Sequence, residues 1–233
     1  QIWRDGVRAG NLYINRPTTG AIVLRQPFGG MGKSAFGPGI KAGGPNYVAA
    51  LMEFEDGEEK SGARGQESEM KDGSNHLLEL HEGLSSLGAT ASALIGNAAQ
   101  IRRAIGSYFH WIAEEFGLTH DHFRLIGEDN FRRYLPVSRL RIRVHEVDSA
   151  FDVFARAAAA RAAGCRTVVS SPPHSRVSPK LGDAGFGETG LRGIVELLDA
   201  LTDSWAAAIE FIEESDEELA EAMRSGTTQR VRY

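Results

Sequence analysis

Between Ser92 and Phe116 the apolar side chains Leu94, Ile95, Ala98, Ile101, Ile105, Phe109, Ile112 and Phe116 recur at steps of three and four residues. That period puts them on one face and predicts an amphipathic helix, with Gly117 as its stop. Gly96 and Gly106 weaken it, and Tyr108 and Trp111 read as packing residues beside its apolar face. Farther along the period changes to two. Leu140, Ile142 and Val144 alternate with Arg139, Arg141 and Arg143, which predicts a half-buried strand with a basic outer face. Asp148 is expected to cap an alanine-rich helix over residues 150–163, ended by Gly164. Residues 166–170 form a second predicted strand, stopped by Pro172-Pro173. Strand, helix and strand at this spacing make a βαβ unit with parallel pairing. A helix over 190–201, a strand over 207–212, a capping box at Ser215-Asp216-Glu217-Glu218 opening a helix that ends near Gly226, and a strand starting at Arg230 complete the reading. The class is α/β, with no internal repeat.

The first fifty residues keep neither period for long. Residues 12–15 and 21–25 are short β-prone runs, separated by the turn sequence Arg16-Pro17-Thr18-Thr19-Gly20. Seven glycines between Phe28 and Gly44 exclude a regular helix there, because each costs about 1 kcal/mol of helix stability. An ordered or flexible loop is expected instead. Residues 47–54 are a further candidate strand. Residues 55–73 hold seven acidic side chains, three basic ones and four glycines, with only Ala63 and Met70 apolar. Such a segment buries too little surface to offset its ordering entropy, so it reads as a linker and domain boundary.

Composition narrows the class. The 233 residues are 42% hydrophobic and 24% charged, close to the globular norm. No run reaches the roughly 18 apolar residues of a membrane-spanning helix. A net charge of −5 and a pI near 5.8 argue against a general nucleic-acid binder. Cys165, the single cysteine, has no partner for an internal disulfide and suits a reducing compartment. The chain opens on Gln1 and moves at once into dense motif sequence, and its last strand begins at Arg230; both lead to the expectation of a piece of a longer protein.

Several motifs suggest chemistry. Pro27-Phe28-Gly29-Gly30-Met31-Gly32-Lys33-Ser34 nearly spells a phosphate-binding loop, but Pro27 replaces its first glycine and Ala35-Phe36-Gly37-Pro38-Gly39 cannot open the helix it needs. Gly185-Phe186-Gly187-Glu188-Thr189-Gly190 fits a dinucleotide fingerprint, with Glu210 about twenty residues on as a ribose-binding acid. No apolar strand leads into it, so a glycine-rich loop capping a helix is the better reading. Arg124, Arg132, Arg133, Arg139, Arg141 and Arg143 form a basic cluster that could meet phosphates; in an acidic chain, salt bridges are favoured. Cys165, after Gly164 at a strand start, reads as a core thiol and not a nucleophile. His120-Asp121-His122 lacks a third ligand at metal-binding spacing. No complete catalytic constellation emerges.

A longer signature does emerge. Gly10-Asn11-Leu12-Tyr13-Ile14-Asn15-Arg16, Thr19-Gly20-Ala21-Ile22-Val23, Gln26-Pro27-Phe28-Gly29-Gly30, Gly37-Pro38 and Lys41-Ala42-Gly43-Gly44-Pro45-Asn46-Tyr47 together resemble the C-terminal end of an aldehyde dehydrogenase. More narrowly, they are similar to L-glutamate γ-semialdehyde (Δ1-pyrroline-5-carboxylate) dehydrogenase, especially the form fused to proline dehydrogenase in bacterial bifunctional enzymes. The resemblance covers about residues 1–50. It implies that Gly20 and Ala21 lie in the loop that holds the substrate's α-carboxylate and amino group through backbone N–H donors, and that Phe28 packs on its aliphatic chain. It also implies that residues 47–54 lie near an oligomerisation flap, and that the nucleophilic cysteine, the general-base glutamate and the main NAD-binding segment lie upstream of residue 1. Residues 127–136 and 162–170 resemble, less closely, the cofactor-domain core of the same superfamily. There a Lys-Pro contacts NAD ribose, where this chain has Ser171-Pro172.

These implications fix the expectations. Residues 1–54 are the end of a dehydrogenase catalytic and oligomerisation region, 55–74 a linker, and 75–233 a Rossmann-like, degenerate aldehyde-dehydrogenase-like domain. The chain would serve an NAD-dependent oxidation of L-glutamate γ-semialdehyde to L-glutamate in proline catabolism, and would be inactive alone. FAD would belong only to a fused proline dehydrogenase. A homo-oligomer, a cytoplasmic setting with peripheral contact to the inner membrane face through that fused domain, and no nucleic-acid partner or transmembrane segment are expected. An assembly module that covers the active site or mediates oligomerisation is the alternative, and a free-standing nucleotide-binding domain a third reading.

Overall fold

The computed structural model describes residues 6–18, 20, 22–35, 40–53, 75–173 and 188–232. The expected linker at 55–74, Ala21 and the glycines 185 and 187 lie outside the described residues. The chain divides into two compact units, one of residues 1–62 with 119–133, the other of 63–118 with 134–233.

In chain order the second unit begins with helices α1 (Asn75–Ser85), α2 (Ala89–Ile95) and α3 (Ala98–Trp111), followed by a π-helical turn over Ile112–Phe116. The 119–133 excursion, part of the first unit, carries the short strands β1 (Thr119–His120) and β2 (Arg132–Arg133), paired antiparallel. The second unit resumes with β3 (Leu140–Arg143), α4 (Ala150–Ala162), β4 (Thr167–Ser171), α5 (Glu188–Leu201), β5 (Ile209–Glu213), α6 (Asp216–Arg224) and β6 (Arg230–Arg232).

Among the described residues, β3 to β6 form one parallel sheet in the order β5-β4-β3-β6. Leu140 pairs with Thr167 on one side and Arg230 on the other, and Thr167 pairs with Ile209. The chain therefore walks outward from β3 through β4 to β5, then crosses back to lay β6 on the far side of β3. That reversal is the topological switch of a doubly wound fold. The expected βαβ unit and its parallel pairing are present.

Leu140, Ile142 and Val144 point into a core shared with Leu80 of α1, Ile101 and Ile105 of α3, Phe154 of α4 and Leu198 of α5. The alanines of α4 are small enough for a central helix to be packed from several sides; Ala157 and Ala158 are fully buried. Arg141 and Arg143 point to the opposite face, because successive strand side chains alternate. The expected basic outer face is not exposed: the two arginines are 5% and 3% accessible, and the end of β5 and the start of α6 cover them. Arg141 donates to Glu214 at 2.7 Å and to Thr228 at 3.1 Å. Arg143 donates to the Glu214 carbonyl at 2.8 Å and to Asp216 at 2.7 Å.

Four further sequence expectations change. The 92–116 helix is two helices, because Gly96 turns left-handed at φ +70° and Asn97 caps the next helix by accepting from the Gln100 amide at 3.1 Å. Ser149, not Asp148, caps α4. Its hydroxyl accepts from the Asp152 amide at 3.2 Å while Asp152 takes the Ser149 amide at 2.9 Å, and Asp148 is engaged with Arg156 at 2.9 Å. In the described parts of runs 12–15 and 21–25 there is no strand. Asn15 and Leu24 sit at positive φ, and residues 22–26 close a tight turn through a single Ile22–Gln26 bridge. Residues 48–51 form a 3₁₀ turn and not a strand. A ladder needs a neighbouring edge, and no neighbouring strand pairs with these runs among the described residues. Conversely, α1 went unpredicted, although Leu77, Leu80, His81 and Leu84 carry helical spacing and all four are buried.

Candidate substrate-anchor site

The signature segments of the first unit hold one another. Asn11 is the knot: its amide donates to the Pro27 carbonyl at 3.0 Å and its side-chain oxygen accepts from the Gly29 amide at 3.3 Å. The Lys41 ammonium donates to the Gly29 carbonyl at 3.0 Å, to Asn11 at 3.2 Å and to the Gly10 carbonyl. Phe28 and Ala42 exchange backbone hydrogen bonds at 3.1 and 2.9 Å. Three stretches distant in sequence, 10–11, 27–30 and 41–44, thereby become one scaffold. The glycines are needed for this closeness. A Cβ on Gly10 would lie 1.8 Å from the Gly29 carbonyl oxygen, and one on Gly30 would lie 1.9 Å from that of Ser34. Partial burial holds the Lys41 ammonium below the ordinary lysine pKa, and its three oxygen partners offset that desolvation.

On this scaffold sits the turn expected to anchor substrate. Gly20 is exposed at φ +79°, and the space where a Cβ would project is open. Its carbonyl accepts from the Tyr13 hydroxyl at 3.4 Å. The buried Gln26 amide, turned so that both of its ends are satisfied, donates to the same carbonyl at 3.1 Å and accepts from Arg16 at 2.6 Å. The Arg16 guanidinium also lies over the Tyr13 ring, 5.8 Å from its centre. Phe28, two residues beyond Gln26, is 61% exposed and presents an apolar ring on the same folded segment. Glu128, on the 119–133 excursion, pairs with Arg25 and lies 3.5 Å from Arg16. Hydrogen bonds from Asn130 and Arg25, with the charges of Arg25 and Arg16, hold its carboxyl below the usual glutamate range. Among its described residues, this turn places an exposed glycine and an aromatic ring on one folded segment, an arrangement with room for a carboxylate-bearing chain.

The other candidates resolve plainly. Cys165 is buried, and burial raises its thiol pKa, which leaves it a poor nucleophile. The His120 and His122 rings stack 5.7 Å apart, and His122 accepts from Arg132 at 3.3 Å. Asp121 accepts from the amides of Phe123, Arg124 and Asn130 at 3.0 to 3.3 Å, an Asx-type turn, with its pKa lowered chiefly by the Arg124 amide. No group of three metal-ligating side chains occurs among the described residues. Lys33 and Ser34 lie in a 3₁₀ turn, not at the start of the α-helix a phosphate loop requires.

In the second unit a cavity of about 680 Å³ opens at the C-terminal ends of β4 and β5, beside Ser171 and Pro172. This is where parallel α/β sheets bind ligands. Its charged lining is Glu146, Glu196, Asp199 and Glu213 against Arg192, which is paired with Glu196 at 2.6 Å. This described lining is net acidic and includes no lysine; residues 174–187, which join β4 to α5, lie outside the described residues. Glu210, the candidate ribose acid, is exposed on β5.

No family model matches the chain. Two curated proteins are similar to it over a segment. The bifunctional protein PutA of Rhizobium meliloti is 59% identical over 46 residues, 20% of this chain and 4% of that protein. A 1-pyrroline-5-carboxylate dehydrogenase of Bacillus thuringiensis is 54% identical over 50 residues, 22% of this chain and 9% of that protein. Over such a segment, the chain is similar to 1-pyrroline-5-carboxylate dehydrogenases. It spans less than a tenth of the length of either relative. Among solved structures, an oxidoreductase from Marinobacter aquaeolei is similar with a TM-score of 0.44 and 12% identity, over 64% of this chain and 30% of that one. Among the described residues, no helix is long and apolar enough to cross a membrane.

Proposed function

We propose that this chain is the C-terminal portion of a proline-catabolic enzyme that oxidises L-glutamate γ-semialdehyde to L-glutamate with NAD, supplying the substrate-anchor turn and a structural α/β unit. The observation that carries the proposal is the 54–59% identity to 1-pyrroline-5-carboxylate dehydrogenase and PutA over about fifty residues. The state of the first unit supports it. Among its described residues only Gln26 and Pro27 are buried, while Val23, Leu51 and Ile126 are 70% exposed or more. A segment this rich in uncovered apolar side chains is suited to completing a larger domain.

In that reading Gly20 and Ala21 present backbone N–H groups to the substrate's α-carboxylate, and Phe28 packs on its methylene chain. The thiolate, the general base and the NAD-binding residues belong upstream; Cys165 has neither the place nor the ionisation for the nucleophile's role. This reading assigns the second unit a structural part, in keeping with the net acidic character of the described cavity lining and with Ser171-Pro172 in place of the family's Lys-Pro. FAD would be confined to a fused proline dehydrogenase. The test is Gly20→Val in the intact dehydrogenase. A side chain at φ +79° strains the turn and fills the space the carboxylate would use. The expected result is a KM for the semialdehyde raised tenfold or more with kcat changed far less, and unchanged kinetics would overturn the anchor role.

A further inference from the structure

We infer that Glu128 is a positioning residue for the anchor turn: its carboxylate latches the 119–133 excursion onto Arg16 and Arg25 and so fixes the Gly20 carbonyl through Arg16 and Gln26. The inference rests on the proposed anchor role of Gly20. Glu128 pairs with Arg25 and with Arg16 at 3.5 Å. With the Gln26 amide turned so that both of its ends are satisfied, the chain of contacts continues: Arg16 donates to Gln26 at 2.6 Å, and Gln26 donates to the Gly20 carbonyl at 3.1 Å. Asn130 steadies the carboxylate from behind with a 2.9 Å hydrogen bond.

Two features make this more than a surface ion pair. First, Glu128 joins two stretches more than a hundred residues apart in sequence, so it is a tertiary contact and not a local one. Second, both arginines flank the turn, one on each side of Gly20, and a single carboxylate draws them together. Closing the two sides of a glycine turn restricts the peptide orientations open to it. Backbone donors help a bound carboxylate only when they are already aimed, because aiming them on binding costs affinity. The excursion also carries exposed Phe123, Ile126 and Phe131, so whatever covers that apolar loop would act on the anchor turn through Glu128.

The test has two readouts. In the full 233-residue chain, tryptic cleavage after Arg25 is compared with cleavage after the exposed Lys33 as an internal reference. Glu128→Gln should raise that ratio at least fivefold, and Glu128→Asp should raise it less; an unchanged ratio overturns the latch. In the intact dehydrogenase, Glu128→Gln should raise KM for the semialdehyde three- to tenfold while kcat stays within twofold, and the double variant Arg25→Glu with Glu128→Arg should recover most of the loss. If Gly20→Val raises KM and Glu128→Gln does not, the positioning role fails and the anchor reading stands. If Gly20→Val leaves KM unchanged, the anchor reading fails, and the positioning role with it, whatever the tryptic ratio shows.

Discussion

Arg141 and Glu214 meet at 2.7 Å with their side chains 6% and 7% exposed, and the other Glu214 carboxylate oxygen is buried without a partner. Removing one member of such a pair strands a charge in a poorly solvated place, a cost of about 3–5 kcal/mol. Glu214→Ala should therefore lower the urea midpoint by an amount equivalent to about 3 kcal/mol. The apolar double variant Arg141→Met with Glu214→Leu should recover most of that loss, since both charges leave together. A single variant as stable as the parent would show that water reaches the pair. The same residues mark what the sequence could say. Alternation of Arg139, Arg141 and Arg143 with apolar neighbours assigns the arginines to one face of β3, but not whether that face is covered. The covering carboxylates, Glu214 and Asp216, stand some seventy residues away. A preference for salt bridges in an acidic chain was legible; the partners were not. Gly20, Ala21 and Phe28 become candidates only through the family signature, and the ion pairs of Glu128 could not be read from Gly127-Glu128-Asp129-Asn130, because Arg16 and Arg25 stand more than a hundred residues away.

At the scale of elements, the local rules worked where an element carries its own ends. The Ser215 box over Asp216–Arg224 was readable because cap and acid lie three residues apart. For α4 the same chemistry sits one residue from the expected place, with Ser149 and Asp152 exchanging hydrogen bonds and Asp148 turned to Arg156. Ser149→Ala should cost about 1 kcal/mol, read from thermal unfolding. The cap also sets a pH dependence. The Ser149 hydroxyl hydrogen bond, more than the Ser149 amide or Arg156, holds Asp152 below the usual aspartate value. A carboxyl depressed in the folded state contributes stability that is present above its unfolded pKa and lost as pH falls through the folded one. The cost of Ser149→Ala should thus be largest near neutral pH and shrink below the ordinary aspartate range; an equal cost at both ends would mean that the carboxylate takes no part. Where an element depends on something outside itself, reading failed: runs 12–15 and 21–25 have the side chains of strands, and among the described residues no edge pairs with them.

The two units differ in what holds them. In the second, five secondary elements and a parallel sheet share one buried cluster, with Ile101, Ile105, Ile142, Val144 and Phe154 wholly inaccessible. Among the described residues of the first, hydrogen bonds donated by Asn11 and Lys41 and the ion pairs of Glu128 tie glycine-rich turns together around almost no buried apolar side chains. Hydrogen bonds net about 1 kcal/mol each, whereas each buried Leu, Ile or Phe contributes roughly 1.5–3 kcal/mol, so the two units should not share one stability. Amide exchange on the full chain should show strong protection across α4, β3 and β4 and at least a hundredfold less across residues 6–53. If the chain completes a dehydrogenase as proposed, the same 6–53 amides should gain protection in that parent enzyme, because the uncovered Val23, Leu51 and Ile126 would then be buried. Equal protection of both units in the chain alone would show that the first unit is stable by itself. The case for a segment that completes a larger enzyme would then rest on sequence identity alone.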